Sequence, residues 1–246
     1  MPAPSFPLIE INGRPAAAGE LGYRALVNYG HFTMMQVRNA SVRGLDRHLG
    51  RLDAATRELF GTGLSGEVVR DRLRHALAGH ADDASVRVDV FRPEGDEDAS
   101  VMVTVRPPAA PPGRPQALRT VSYERPAAHL KHAGTFGQIY FGLRAERDGF
   151  DDALLTGPGG IISEAAISNI GFFDGDAVIW PDAPALHGIT MQLLEQRLPA
   201  AGLRSRRAHV RLGDLPSFGG RSSVILWASP RSAGSTTWSS PVTRSA

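Results

Sequence analysis

The chain has 246 residues, 42% hydrophobic and 21% charged, which is enough apolar content for one large globular domain or two smaller ones. Its 27 basic residues against 25 acidic ones leave a formal net charge of +2, and the two signs are mixed along the chain, so no basic stripe marks a nucleic-acid partner. Cysteine is absent, which excludes disulfides, thiolate metal sites and cysteine nucleophiles, and no apolar run approaches the roughly 18 residues of a membrane span.

In chain order, PLIEINGRP and HFTMMQVRN alternate or run apolar around turn residues and are predicted strands. RHLGRLDAATRELFG then places Leu49, Leu52 and Leu59 at helical spacing, and GEVVRDRLRHALAG puts Val69, Leu73, Ala76 and Leu77 on one face of a second helix. SVRVDVFRP and SVMVTVRPP alternate as a pair of strands joined across EGDED. This half is α+β. The Pro-rich segment RPPAAPPGRP, residues 106–115, continues neither strand nor helix and is the natural linker. A strand around ALRTVSYE, a helix over about 138–148, strands in DALLTG and GFFDGDAVIWP, and a helix ITMQLLEQRLPAAG ending at Gly202 make up the second half. The boundaries expected are therefore a first domain over 1–107, a linker over 108–115 and a second domain over 116–246.

Lys131, in HLKHAGTFGQ, is the only lysine of the sequence; every other cationic position is Arg. Arginine keeps its proton and cannot form an imine, whereas a partly desolvated lysine can lose its proton and attack an aldehyde carbonyl. A composition that has lost every other lysine and kept this one points to amine chemistry. His129 and His132 flank it, with no metal spacing among the eight histidines, and are read as supporting or surface residues.

Downstream of Lys131, GFDDALLTGPGGIISEAAISNIGFF is followed by LHGIT; upstream stand INGRP, YGHF and HLGRL. Together these resemble the class IV aminotransferase family of pyridoxal phosphate enzymes, which includes branched-chain and D-amino acid aminotransferases and aminodeoxychorismate lyases. In that family a lysine before a helix is followed by a G-x-D-x-x-L-L segment, a G-x-I-x-E segment with N-I/L-F close behind, and L-x-G-I-T opening a helix. The likeness covers residues 8 to about 218. It implies a two-domain fold type IV architecture, with a smaller N-terminal α/β sandwich and a larger, β-barrel-like C-terminal domain with helices. It implies pyridoxal 5'-phosphate as cofactor, a homodimer, and small-molecule partners in the form of an amino donor and a keto acid. No metal or membrane is expected, and the location expected is the cytoplasm, since the opening MPAPSFPLIEING has no basic segment followed by an apolar core.

By resemblance, Lys131 forms the Schiff base with the cofactor and acts as the base, and Glu164 faces the pyridine nitrogen. Arg51 and the helix start at Gly188, Ile189 and Thr190 suit the phosphate, and Asn169 braces the loop that carries Glu164. Phe32, Met34 and Gln36 alternate along one strand with one face toward the substrate, and Arg38 or Arg92 is the candidate partner of a substrate carboxylate. Two departures from the family pattern leave the substrate open: Phe136 stands where branched-chain members carry Tyr, and YGHFTMMQ lacks the usual acidic residue of that strand.

From about residue 221 the tail RSSVILWASPRSAGSTTWSSPVTRSA is rich in Ser, Thr and Arg and shows no clear periodicity. The family pattern calls for a strand and a phosphate-contacting loop here, so its loss is expected to leave a sheet edge open. One permitted codon choice for the tail, read two nucleotides further along, yields AFVRNSVGIAAVGRIDDVVLP, which contains such a loop; a frameshift is the inferred origin. Three functions remain from the sequence: a transaminase, a lyase that eliminates pyruvate, and a non-catalytic remnant with an altered C-terminus.

Overall fold

The computed structural model describes residues 7–78, 82–109, 114–221, 223–227 and 235–237, those from 219 onward by their backbone alone. Residues 110–113 of the Pro-rich segment and most of the tail lie outside the described residues. The chain divides into two compact units, Met1–Ala109 with Leu130–Gly134, and Ala110–His129 with Thr135–Ala246. The stretch that carries Lys131 thus belongs with the first unit although the chain on both sides of it belongs with the second.

The first unit holds β1 (Leu8–Ile11), β2 (Arg14–Pro15), α1 (Ala18–Leu26), β3 (His31–Arg38), β4 (Ser41–Val42), α2 (Leu45–Phe60), α3 (Gly66–Leu77), β5 (Ala84–Phe91) and β6 (Ser100–Arg106). Its strands form one antiparallel sheet in the order β2-β1-β6-β5-β3-β4. The period-two alternation of the sequence decides its two faces. Met35 and Val37, with Val86, Val88, Val90, Val101, Val103 and Val105, meet Leu49, Leu52, Val69 and Leu73 of α2 and α3 in a single core. The opposite face carries Phe32, Met34 and Gln36, paired in register with Asp89, Arg87 and Ser85. Helix α2 stops at Gly61, whose left-handed φ of 76° an L side chain would resist. Helix α1 was not anticipated: AGELGYRAL contains two glycines and buries nothing. It is held from outside by Glu20, which accepts from Ala17 N and from both terminal nitrogens of Arg14, and by the Tyr23 hydroxyl, which donates to Arg92 O at 2.9 Å.

The second unit holds β7 (Leu118–Ser122), α4 (Phe136–Arg147), β8 (Asp152–Thr156), β9 (Ile162–Ala165), β10 (Ser168–Phe173), β11 (Ala177–Pro181), α5 (Ile189–Arg197), β12 (Arg204–Ala208), β13 (Ser223–Trp227) and β14 (Ser235–Thr237). The strands form a three-stranded sheet, β7-β8-β9, and a five-stranded one, β12-β11-β10-β13-β14. Among the described residues no closed barrel forms; the barrel-like expectation resolves into these two open sheets. Parallel pairs β7/β8 and β11/β12 bracket α4 and α5, as a crossover helix requires. Leu118, Leu154, Ile162, Ile170, Phe172 and Ile179 form the main core. Gly202 ends the α5 segment in left-handed conformation, φ 73°, as the sequence predicts.

The tail departs from expectation in one respect. Ser223–Trp227 is a strand, antiparallel to β10 along its length from Ser168↔Trp227 to Phe172↔Ser223, so the β10 edge is covered. A strand with only four consecutive apolar residues inside a Ser-rich tail is too short for periodicity to register, and the ladder hydrogen bonds of β10 supply what the sequence pattern does not.

Candidate active site

Gly30 leads into β3, and a Cβ there would lie 2.6 Å from Val90 O, so only glycine allows the chain to approach β5 this closely. Beyond β3's short pairing with β4, its first residues offer free edge groups, and the Lys131 segment takes them. Phe32 N donates to Lys131 O at 2.9 Å, Ala133 N donates to Gly30 O at 2.8 Å, and His31 bridges His132. The backbone of Lys131 is thereby fixed by a sheet edge, and its Nζ stands 4.9 Å from the centre of the Phe32 ring. The guanidinium of Arg87 lies over the same ring at 3.6 Å and is pinned by Asp89, which accepts from Nε and Nη2 at 2.7 Å each.

On the helix-covered face of β3, polar residues precede the apolar core. Helical spacing puts His48, Arg51, Leu52 and Thr56 on one face of α2 toward β3. Arg51 Nη2 donates to Thr33 Oγ1, which lies 2.7 Å from His48 Nδ1, while Nε and Nη1 of Arg51 are enclosed and have no hydrogen-bond partner. Burial pulls the Arg51 guanidinium down to about 10. Burial, then the charges of Arg51 and Lys131, push His48 down to about 3, so the two cations act on one imidazole. His31, 3.0 Å from Thr56 Oγ1, is pushed down to about 4, chiefly by burial.

In the second unit Glu164 lies on β9, buried, with Oε1 accepting from Arg125 Nη1 at 2.9 Å and Oε2 from Leu186 N at 3.4 Å. Arg125 also donates to Ala128 O at 3.2 Å. Asn169, on β10, donates to Leu186 O at 2.6 Å and accepts from Gly188 N at 3.1 Å, so a side-chain amide fastens the loop that leads into α5. Gly188 is the N-cap, and a Cβ there would stand 2.1 Å from Asn169 Oδ1. The first turn of α5, Ile189 and Thr190, presents backbone N–H groups that no helical carbonyl can satisfy.

Of the residues expected at the site, Lys131, Arg51 and Phe32 are gathered in the first unit, and Glu164, Asn169, Gly188, Ile189 and Thr190 in the second. Arg38 and Arg92 are otherwise engaged. Arg38 donates to the carbonyls of Val37, Ala84 and Ala109 and sits 3.8 Å from Asp83; Arg92 donates to Phe60 O at 3.0 Å and covers the Phe60 ring. Four residues escaped the sequence reading. Thr33 lies in HFTMMQVRN and His48 in HLGRL, where the i, i+3 spacing of His48 and Arg51 is the available signal. Arg125 and Arg87 find their partners only through the fold.

Set against known proteins, residues 30–220 match the model of the family described as amino-transferase class IV. The chain belongs to that family. A search of curated protein sequences found no match. Among solved structures, the PLP-bound form of a hypothetical aminotransferase from Mycobacterium tuberculosis aligns with TM-score 0.78 at 20% identity, covering 98% of this chain and 88% of that one. The branched-chain amino acid aminotransferase of Escherichia coli aligns with TM-score 0.79 at 18% identity, covering 96% and 86%. The 4-amino-4-deoxychorismate lyase of Pseudomonas aeruginosa aligns with TM-score 0.74 at 21% identity, covering 96% and 94%. At these identities the alignments establish the fold, which is that of fold type IV.

Proposed function

We propose that the chain is a pyridoxal phosphate-dependent transaminase that moves an amino group between an amino acid or amine and a 2-keto acid. The observation that carries this reading is Arg51, an enclosed guanidinium with two unpartnered nitrogens in the same unit as the only lysine. A buried cation in that state is costly until an anion meets it, and a phosphate ester is such an anion. The fold-level neighbour with PLP bound supports the same choice.

When bound, the cofactor supplies an aldehyde that condenses with amines and a ring that withdraws electron density from the carbon beside the nitrogen. Lys131 would hold the cofactor covalently through Nζ, and the same amine, when free, would move a proton between the substrate Cα and the cofactor. Phe32, against Nζ, shields one side of that amine from water. Glu164, held by Arg125 and Leu186 N, is proposed to receive the ring nitrogen's proton contact. Asn169 sets the entry to α5 so that the N–H groups of Ile189 and Thr190 face an anion. Arg38 and Arg92 take no part in this proposal.

The test is direct. Protein incubated with pyridoxal phosphate and reduced with borohydride should carry the cofactor mass on the peptide containing Lys131, and Lys131→Arg should abolish it; label elsewhere overturns the proposal. The lyase alternative, favoured by a lyase neighbour matched over 94% of its length, predicts pyruvate release with no keto acid added. A protein that retains no near-ultraviolet or visible absorbance once added cofactor has been removed by desalting would be the non-catalytic remnant. Two copies are expected to associate. The exposed stripe Phe136, Ile139, Tyr140 and Leu143 on α4 supports this, and sedimentation tests it. Among the described residues no helix is long and apolar enough to cross a membrane.

A further inference from the structure

We propose that Thr33 and His48 are positioning residues for Arg51, forming a hydrogen-bond relay that orients the guanidinium so that its free nitrogens meet the cofactor phosphate. The inference rests on the reading of Arg51 as the phosphate-binding cation and adds to it the device that holds that cation still.

The directions of the bonds follow from what each group can do. A guanidinium only donates, so Thr33 Oγ1 accepts from Arg51 Nη2. Thr33 Oγ1 keeps one hydrogen to give, and in the proposed relay it goes to His48 Nδ1, 2.7 Å away. His48 in the relay is neutral, with its own proton on Nε2. Burial and the charges of Arg51 and Lys131 hold it in that form. A second pair beside it follows the same logic. Thr56 Oγ1 donates to Leu52 O at 2.8 Å and so accepts from His31 Nε2. His31 is thereby fixed as a single tautomer where β3 meets α2, and the relay gives His48 one as well. One end of the Arg51 fork is consumed by the relay, which leaves Nε and Nη1, the enclosed and unpartnered atoms, for the ligand. An arginine side chain has several rotatable bonds, and fixing its head group before the ligand arrives removes an ordering cost that binding would otherwise carry.

The test compares pyridoxal phosphate with pyridoxal, which has the same aldehyde and ring but no phosphate; the ratio of their dissociation constants isolates the phosphate contact. Arg51→Gln should bring the ratio down by about a hundredfold, roughly the effect of removing a charge-assisted pair. An unchanged ratio there would remove the phosphate reading itself. Where Arg51→Gln does lower it, Thr33→Val should lower the ratio about tenfold with pyridoxal affinity unaltered, and Thr33→Ser should restore it. An unaltered ratio in Thr33→Val overturns the relay while leaving the phosphate reading intact. If Thr33→Val does not fold, His48 decides. His48→Asn keeps an acceptor where Nδ1 stands and should preserve the ratio, whereas His48→Gln should lose it; equal ratios in the two overturn the inference.

Discussion

Glu164 and Arg125 are each nearly inaccessible, and their 2.9 Å contact is the kind of pair whose worth lies in not being broken. Removing one partner leaves a buried charge uncompensated, at a cost of about 3 kcal/mol or more, while replacing both by apolar groups of similar size is often close to neutral. Glu164→Gln and Arg125→Met are each expected to destabilise the chain by about that amount in urea unfolding, and Arg125→Met with Glu164→Leu by less than the sum. Additive losses would show that the two side chains do not act on one another. Glu164 was legible from its motif. Arg125 was not, because nothing in YERP signals a partner 39 positions away.

At the scale of elements, the start of α5 is set by a contact no side chain at Gly188 could share. Gly188→Ala drives a methyl toward Asn169 Oδ1 and should force the Leu186–Gly188 loop off the amide that holds it. The expected outcome is a loss of 1–3 kcal/mol, the usual range for overpacking, together with weaker binding of pyridoxal phosphate relative to pyridoxal. A change in stability without that second effect would separate the helix start from the phosphate. The sheet of the first unit shows why strands were easy to read here. Val86, Val88 and Val90, and Val101, Val103 and Val105, all face one core, so burial repeats every second residue. Helix α1 buries nothing and β13 is a short run in a polar tail; neither has a periodicity to read.

Over the whole molecule, buried ionisable groups set an opposed pH dependence. His31 and His48 titrate near 4 and 3 when folded but near 6.5 when unfolded, so below about pH 6.5 the unfolded chain takes up protons that the folded one refuses, and stability falls with acid. Each contributes about 1.4 kcal/mol per pH unit in that window. Asp152 runs the other way. It is buried on β8, one carboxylate oxygen has no partner, and burial raises it to about 7. Its neutral form is favoured in the fold, and stability is lost as pH rises from the unfolded value near 3.8 through 7. Asp152→Asn should therefore stabilise the protein at pH 8 and change little at pH 4, and it should steepen the acid-side slope between pH 4 and 6. A variant with the same pH dependence as its parent between pH 4 and 8 would mean that Asp152 ionises freely.

The placement of Leu130–Gly134 beside β3 bears on how the chain is made. A ribosome delivers residues 1–109 long before Lys131 leaves the exit tunnel, and during that interval Gly30 O and Phe32 N stand at an edge with no strand beside them. An edge in that condition recruits whatever extended chain is near. Nascent chains stalled before residue 130 should be held by chaperones or aggregate, and those stalled past about residue 165, far enough for residue 134 to emerge, should be released. The stretch that carries the amine would then also be the one that completes the first unit's sheet, so a chain lacking it would forfeit solubility together with its chemistry.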